Sequence, residues 1–445
     1  MNSSDIPLPI ADPAARPARG WWRVVVLLML VVGLGHFNRI AISVAGAERI
    51  IRENGIDAAR MGWVYSAFLA LYTLAMLPAG WFIDRVGARA TLIVFCFGSA
   101  IFVAATSAVG LYCQTATSIW IGLLAVRSLM GLVNSPLHPA AARMVFAHVP
   151  PNAKSLANGL VTFAACAGIS ATYYGFGMLI DRFDWPTAFL VTGWLTLAVA
   201  LVWTWGTRNV ARESHDAVTH STETDSAAKS PAGSIWDVLL RRGVICLALS
   251  YAALGYFQYL FFYWIQYYIG TVQKLGADVS RQYSTLIMLT MGFGMILGGW
   301  LADRMSLRFS GRFRRGLVPA LGMMASGVVF ELGLLSSDSR IMVAAFILSA
   351  GLLGTSEGSF WTSIVELGSP RGGLAAGLMN MGGNAGGLLS PVATPLLSTY
   401  FASHFGEAVG WRISIGIAGV VPILGALLWF GVARDATISQ RTTHR

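Results

Sequence analysis

Two arginines lie in stretches apolar enough to be buried in lipid. Arg39 sits in the run from Trp22 to about Val44, and Arg127 in the run from about Ile119 to Val133. An arginine at mid-membrane costs roughly 2.5–3.5 kcal/mol on insertion scales, so such residues face a protein interior or a watery cavity and carry function. Neither has an acidic neighbour in sequence. With the N-terminus cytoplasmic, the first span runs outward and the fourth inward, and both arginines then lie about 12 Å below the outer surface at 1.5 Å per residue. Two fixed positive charges at one depth read as a cradle for an anion, and the guanidinium fork suits carboxylate or phosphate oxygens.

The elements that must position them are transmembrane helices. The chain has 445 residues, of which 55% are hydrophobic and only 12% charged, and its mean hydropathy is +0.63. Soluble domains carry about 25% charged residues, so the composition is that of a polytopic helical membrane protein. The net charge of +10 follows topology and does not imply a nucleic-acid partner. Arg85, Arg89, Lys154, Arg208, Arg241, Arg242 and Arg304 fall in segments that alternate onto one side, against fewer such as Arg49, Arg60, Lys274 and Arg340 on the other. The positive-inside rule then predicts cytoplasmic termini. Met1–Gly20 has no apolar core or cleavage site of a signal peptide. The four cysteines are scattered, form no CxxC and read as structural.

Hydropathy predicts twelve spans of about 20 residues or more. They divide the chain into an N-terminal tail (1–21), a six-helix bundle (22–206), a polar linker (207–240), a second six-helix bundle (241–433) and a C-terminal tail (434–445). The halves repeat. Gly80-Trp81-Phe82-Ile83-Asp84-Arg85 closes the second span and Gly299-Trp300-Leu301-Ala302-Asp303-Arg304 the eighth. Leu156-Ala157-Asn158-Gly159 opens the fifth and Leu374-Ala375-Ala376-Gly377 the eleventh. Two matches at nearly one offset argue for a duplicated, pseudo-symmetric architecture with a site between the halves, as in transporters.

The loop Gly80 to Arg89, with Asp84, Arg85 and Arg89, resembles the signature of the major facilitator superfamily. That resemblance implies a latch at Asp84, Arg85, Arg89, Asp303 and Arg304 that holds one transport state. Within the superfamily the chain is most similar to the anion:cation symporter family of organic-anion and sugar-acid carriers. The similarity rests on Phe37-Asn38-Arg39, Leu71-Tyr72 to Trp81, Arg127 to Pro136, Phe189 to Gly193 and Gly377 to Gly387. It implies that Arg39 and Arg127 meet the substrate anion and that Tyr72, Gln258, Ser359, Trp361 and Asn384 line its cavity. Read from the residues alone, Gln258 interrupts an aromatic helix face and needs a neighbouring helix or a ligand hydroxyl. Tyr72 and Trp361 have packing as an alternative role.

The departure from that family lies at Asn38 and Asn134, where it carries the acids that are its expected proton carriers. An amide keeps the shape and the hydrogen bonds, so Asn38 and Asn134 stay among the expected substrate-binding residues, but it takes no proton. Three residues are candidates to replace them. His36 shares a helix face with Arg39, His138 follows Asn134 by one turn, and Glu357 precedes Trp361 by one turn. Arg143 needs no function, since snorkelling to the interface explains it.

No phosphate-binding loop, metal-ligand spacing or nucleophile elbow occurs in the sequence. The expectation is a non-enzyme with no cofactor and no metal. It is a monomeric carrier in the cytoplasmic membrane, moving a small organic anion by alternating access with proton-coupled uptake. The alternatives are a proton-independent exchanger or facilitator and, in another class, a transporter-like anion receptor.

Overall fold

A computed structural model describes residues 21–150, 153–208, 240–308, 316–367 and 372–432. The expected tails and most of the expected 207–240 linker lie outside the described residues.

The described chain is helical. Its long helices are α1 (Trp21–Glu53), α2 (Ala58–Leu74 continued by Pro78–Val86), α3 (Ala88–Tyr112), α4 (Ala116–His148), α5 (Leu156–Arg182) and α6 (Trp185–Gly206). The second half gives α7 (Arg242–Tyr263), α8 (Ala277–Ala302), α9 (Leu317–Leu335), α10 (Ser339–Ile364), α11 (Gly372–Phe405) and α12 (Glu407–Val432). Ten of these are each long and apolar enough to cross a membrane. Helix α2 joins them as a span bent by 57° at its break. Helix α11 is 34 residues long, diluted by glycine, asparagine and two internal prolines. Together they make a multi-pass membrane fold.

Local sequence sets the helix ends. Asp57, Asp184 and Asp338 cap α2, α6 and α10 by accepting backbone N–H bonds, and Thr115 with Ser118 forms a capping box on α4. The turn between α2 and α3 is made by Gly87 at φ +87°, a left-handed conformation that glycine adopts without a Cβ penalty.

The packing repeats as the sequence does. Helix α1 packs on α5, α2 on α4 and α3 on α6, while α7 packs on α11, α8 on α10 and α9 on α12. Gly168 of α5 lies so close to the Gly33 carbonyl of α1 that no Cβ fits. Gly386 of α11 meets the Ala252 carbonyl of α7 in the same way, at the offset that relates the sequence repeats. The bundles join along two equivalent seams, α2 with α11 and α5 with α8.

One expectation is corrected in α1. The helix does not end with the apolar run but goes on through a π-helical turn, Gly46–Ile50, to Glu53. The charges at Glu48 and Arg49 end the apolar run but not the helix.

Candidate functional site

The two ends of the bundle pair differ. One end, here the Glu48 face, is closed by contacts between the bundles. Arg281 of α8 is 2% exposed, and its guanidinium is held by Glu48 of α1 at 2.5 Å and by Asp181 of α5. The Gln266 amide donates to Glu48 at 2.8 Å, and the Ser43 hydroxyl to the Phe262 carbonyl at 3.1 Å. Tyr173 donates to the Phe261 and Phe262 carbonyls, Tyr65 stacks on Tyr263 at 4.9 Å, and Ser66 donates to the Leu388 carbonyl at 2.7 Å. The other end, the Asp84 face, carries polar contacts within the first bundle. Asp84 pairs with Arg143 of α4, and Arg89 donates to Thr207 at 3.0 Å and to the Thr204 carbonyl at 3.2 Å. Among the described residues, the cross-bundle ion pairs are those at the Glu48 face.

Below the closed end lies a recess lined by His36, Arg39, Tyr72, Asn134 and His138, among others. Arg39 is 9% exposed, and its guanidinium donates to the Tyr259 phenol across the bundle boundary. The rings of Phe68, Tyr72 and Tyr259 stand 5.0–5.3 Å from its Cζ, a cation–π cage that holds a charge with no counter-anion. Among the described residues Arg39 forms no ion pair, and its Nε has no hydrogen-bond partner.

Arg127 sits differently. It is 0% exposed, and its two terminal nitrogens donate to the Arg39 carbonyl at 2.6 Å and the Asn38 carbonyl at 3.3 Å. It stands behind the recess and clamps the turn of α1 that presents Arg39. Asn38 also turns inward, donating to Thr196 of α6 at 2.7 Å. Asn134 lines the recess but spends its N–H groups on the Met130 carbonyl at 2.8 Å and Ser99 at 3.3 Å. Sequence spacing alone does not separate these two roles, because Arg39 and Arg127 share a level and differ in which way the side chain turns.

His36 and His138 meet, with Nε2 atoms 3.3 Å apart. In the second bundle Glu357 accepts from Tyr251 at 2.5 Å and from the Trp361 indole at 3.1 Å, both on Oε1, while Oε2 has no partner. Trp361 is 39% exposed, whereas Ser359 is buried with its hydroxyl unpartnered. Gln258 lies against the Met291 sulfur at 3.5 Å. Asn384 donates to the Asn380 carbonyl at 2.9 Å, beside Met76 of the first bundle.

Of the expected latch residues, Asp84 is paired, Arg85 stacks on Trp81 at 4.6 Å and Arg89 ties to the end of α6. Arg304 stacks on Trp300 at 5.8 Å, and the Asp303 side chain lies outside the described residues. Arg143 does more than snorkel, since its partner Asp84 joins α4 to α2. The closed end was missed in the sequence, because Glu48, Asp181 and Arg281 are far apart in the chain and each looks like an ordinary interfacial charge.

A two-bundle membrane fold, closed at one end over a buried cation, is the fold of a transporter. The chain belongs to the Major Facilitator Superfamily, which matches residues 28–391; it is a transport protein and not an enzyme. The D-galactonate transporter of Escherichia coli O6:H1 is 26% identical over 439 residues, 95% of this chain and 97% of that one. A probable galactarate/D-glucarate transporter of Bacillus subtilis is 25% identical over 453 residues, 96% of each chain. The fold is shared with a bacterial homolog of the human lysosomal transporter Spinster, at TM-score 0.70 and 17% identity over 94% of this chain and 98% of that one.

Proposed function

We propose that the chain carries a small hydroxylated organic anion of the sugar-acid class across the cytoplasmic membrane, taking it up with protons by alternating access. The observation that carries the reading is Arg39, a buried cation at the bundle boundary that is caged by aromatic rings and donates to a neutral phenol. A carboxylate exchanging for that phenol would gain a charge-assisted hydrogen bond, worth about 1.5–3 kcal/mol. The names of the relatives supply the sugar-acid class.

The substrate's polar tail would run along α7. Tyr251, Gln258 and Tyr259 share a face of that helix, and Tyr251 and Tyr259 are about 12 Å apart along the axis. Tyr259 marks the Arg39 end and Tyr251 the Glu357 end. The unpartnered Glu357 Oε2 would accept a distal hydroxyl, with Trp361, Ser359 and Asn384 beside the path. Arg127 would act as a positioning residue for Arg39, and Asn38 and Asn134 would shape the same turn. The excess of basic residues makes the Asp84 face the cytoplasmic one and puts both termini there. The two bundles, 22–206 and 241–433, would rock as units, and the chain would act as a monomer.

The test is uptake of radiolabelled D-galactonate into proteoliposomes under an inward proton gradient. Accumulation above equilibrium supports the reading, and no uptake under any gradient contradicts it. A second reading is favoured by the amides at Asn38 and Asn134, which take no proton. In that case the chain is a proton-independent exchanger, and counterflow would proceed while the gradient drives nothing.

A further inference from the structure

His36 and His138 form a defined pair, and among the described residues no carboxylate lines the recess they share with Arg39. His36 Nδ1 lies 3.0 Å from the Val32 carbonyl. A carbonyl only accepts, so that nitrogen carries the hydrogen and neutral His36 offers a lone pair at Nε2. His138 must then donate from its own Nε2 across the 3.3 Å contact. This fixes both tautomers and leaves His138 Nδ1 as the acceptor. His138 is exposed and lines that recess.

We propose that the His36–His138 pair is the proton site of this carrier, filled and emptied together with the anion on Arg39. This rests on the proposed anion function and adds where the proton goes. A proton from water adds to His138 Nδ1, and the imidazolium keeps its Nε2–H bond to His36. The polar and charged groups facing the pair are Arg39 on α1, Tyr72 on α2 and Asn134 on α4, with Arg127 behind Arg39. In the empty site the Arg39 charge repels a second positive charge beside it. An anion seated on Arg39 cancels that repulsion, so anion and proton bind each other's state of the protein. When the anion leaves, the repulsion returns and the proton follows. The pair thus supplies, on α1 and α4, what Asn38 and Asn134 cannot.

The test uses purified full-length protein in weakly buffered detergent with a pH-indicator dye, D-galactonate as probe, and calorimetry on the same samples. Wild type is expected to take up protons on binding the anion, up to one per anion, as linked binding at a single site implies. His138→Gln and His36→Gln are expected to lose that uptake while still binding galactonate. Undiminished proton uptake in both variants overturns the proposal. If wild type binds no galactonate, the anion reading fails on its own, and the pair is judged by ¹⁵N-histidine NMR in Arg39→Gln. A His138 titration displaced by loss of the guanidinium supports the pair, and an unmoved one overturns it.

Discussion

The Arg39 guanidinium on α1 donates to the Tyr259 phenol on α7, so a buried cation of one bundle is satisfied by a neutral oxygen of the other. That contact is the place where an incoming carboxylate and the bundle interface compete for one donor set. Arg39→Lys keeps the charge but not the fork, and it is expected to weaken D-galactonate binding roughly 10- to 100-fold, the loss of about 1.5–3 kcal/mol of charge-assisted hydrogen bonding. Tyr259→Phe removes a competitor and is expected to leave affinity within about threefold, a neutral bond being worth about 1 kcal/mol or less here. Calorimetric titration of both variants checks this, and equal affinity for wild type and Arg39→Lys would count against it.

Arg127 is predicted to matter for order more than for charge. Its two donors hold the turn of α1 that carries Asn38 and Arg39, through the carbonyls of those two residues. Arg127→Lys can serve only one of them well, leaving the other short of its extra donor. The expected result is a fall in thermal stability of several degrees, from the loss of about 1–3 kcal/mol of buried hydrogen bonding. An unchanged melting temperature in detergent would show that the clamp does nothing.

Arg281 is the closing pin of the Glu48 face. Breaking a buried ion pair by removing one partner costs about 3–5 kcal/mol, because the other charge stays buried alone. Arg281→Gln should therefore disfavour the state seen here, in which Glu48 and Asp181 converge on it. A cysteine placed at Ser66, which bonds to Leu388 across the α2–α11 seam, reports the opening. With the four native cysteines replaced, its maleimide labelling should rise at least about tenfold in Arg281→Gln. Labelling equal to the parent would mean that the ion pairs do not hold the seam.

Glu357 is predicted to set charge selectivity at the far end of the path. A second carboxylate brought within several ångströms of it would cost about 2–4 kcal/mol at an effective dielectric near 20. Wild type should bind D-galactonate in preference to galactarate. Glu357→Gln should narrow that preference by roughly tenfold or more while leaving proton uptake in place. Competition binding reads the ratio, and a ratio unmoved by the substitution would remove Glu357 from the path.

Much of the fold is legible in composition and repetition. The Gly80–Arg85 and Gly299–Arg304 repeats mark equivalent helix ends, and the glycines at 168 and 386 prove to be equivalent packing points. Arg39 stands out because it lies deep in an apolar run whose other arginine, Arg23, sits at its start. What the sequence does not carry is direction. Arg39 and Arg127 have the same residue type at the same level, yet one faces the recess and the other the backbone of α1. The Glu48–Arg281–Asp181 cluster is hidden for another reason: it exists only when α1, α5 and α8 converge, and no local pattern encodes convergence. The Asp84–Arg143 pair likewise joins α2 to α4, beyond the reach of any local spacing.

The central claim is that Arg39 receives the anion. The direct measurement is initial-rate uptake of radiolabelled D-galactonate in proteoliposomes holding equal amounts of folded wild type and Arg39→Gln. Uptake in wild type with none above empty liposomes in the variant is the predicted result. Equal rates in the two would contradict the account.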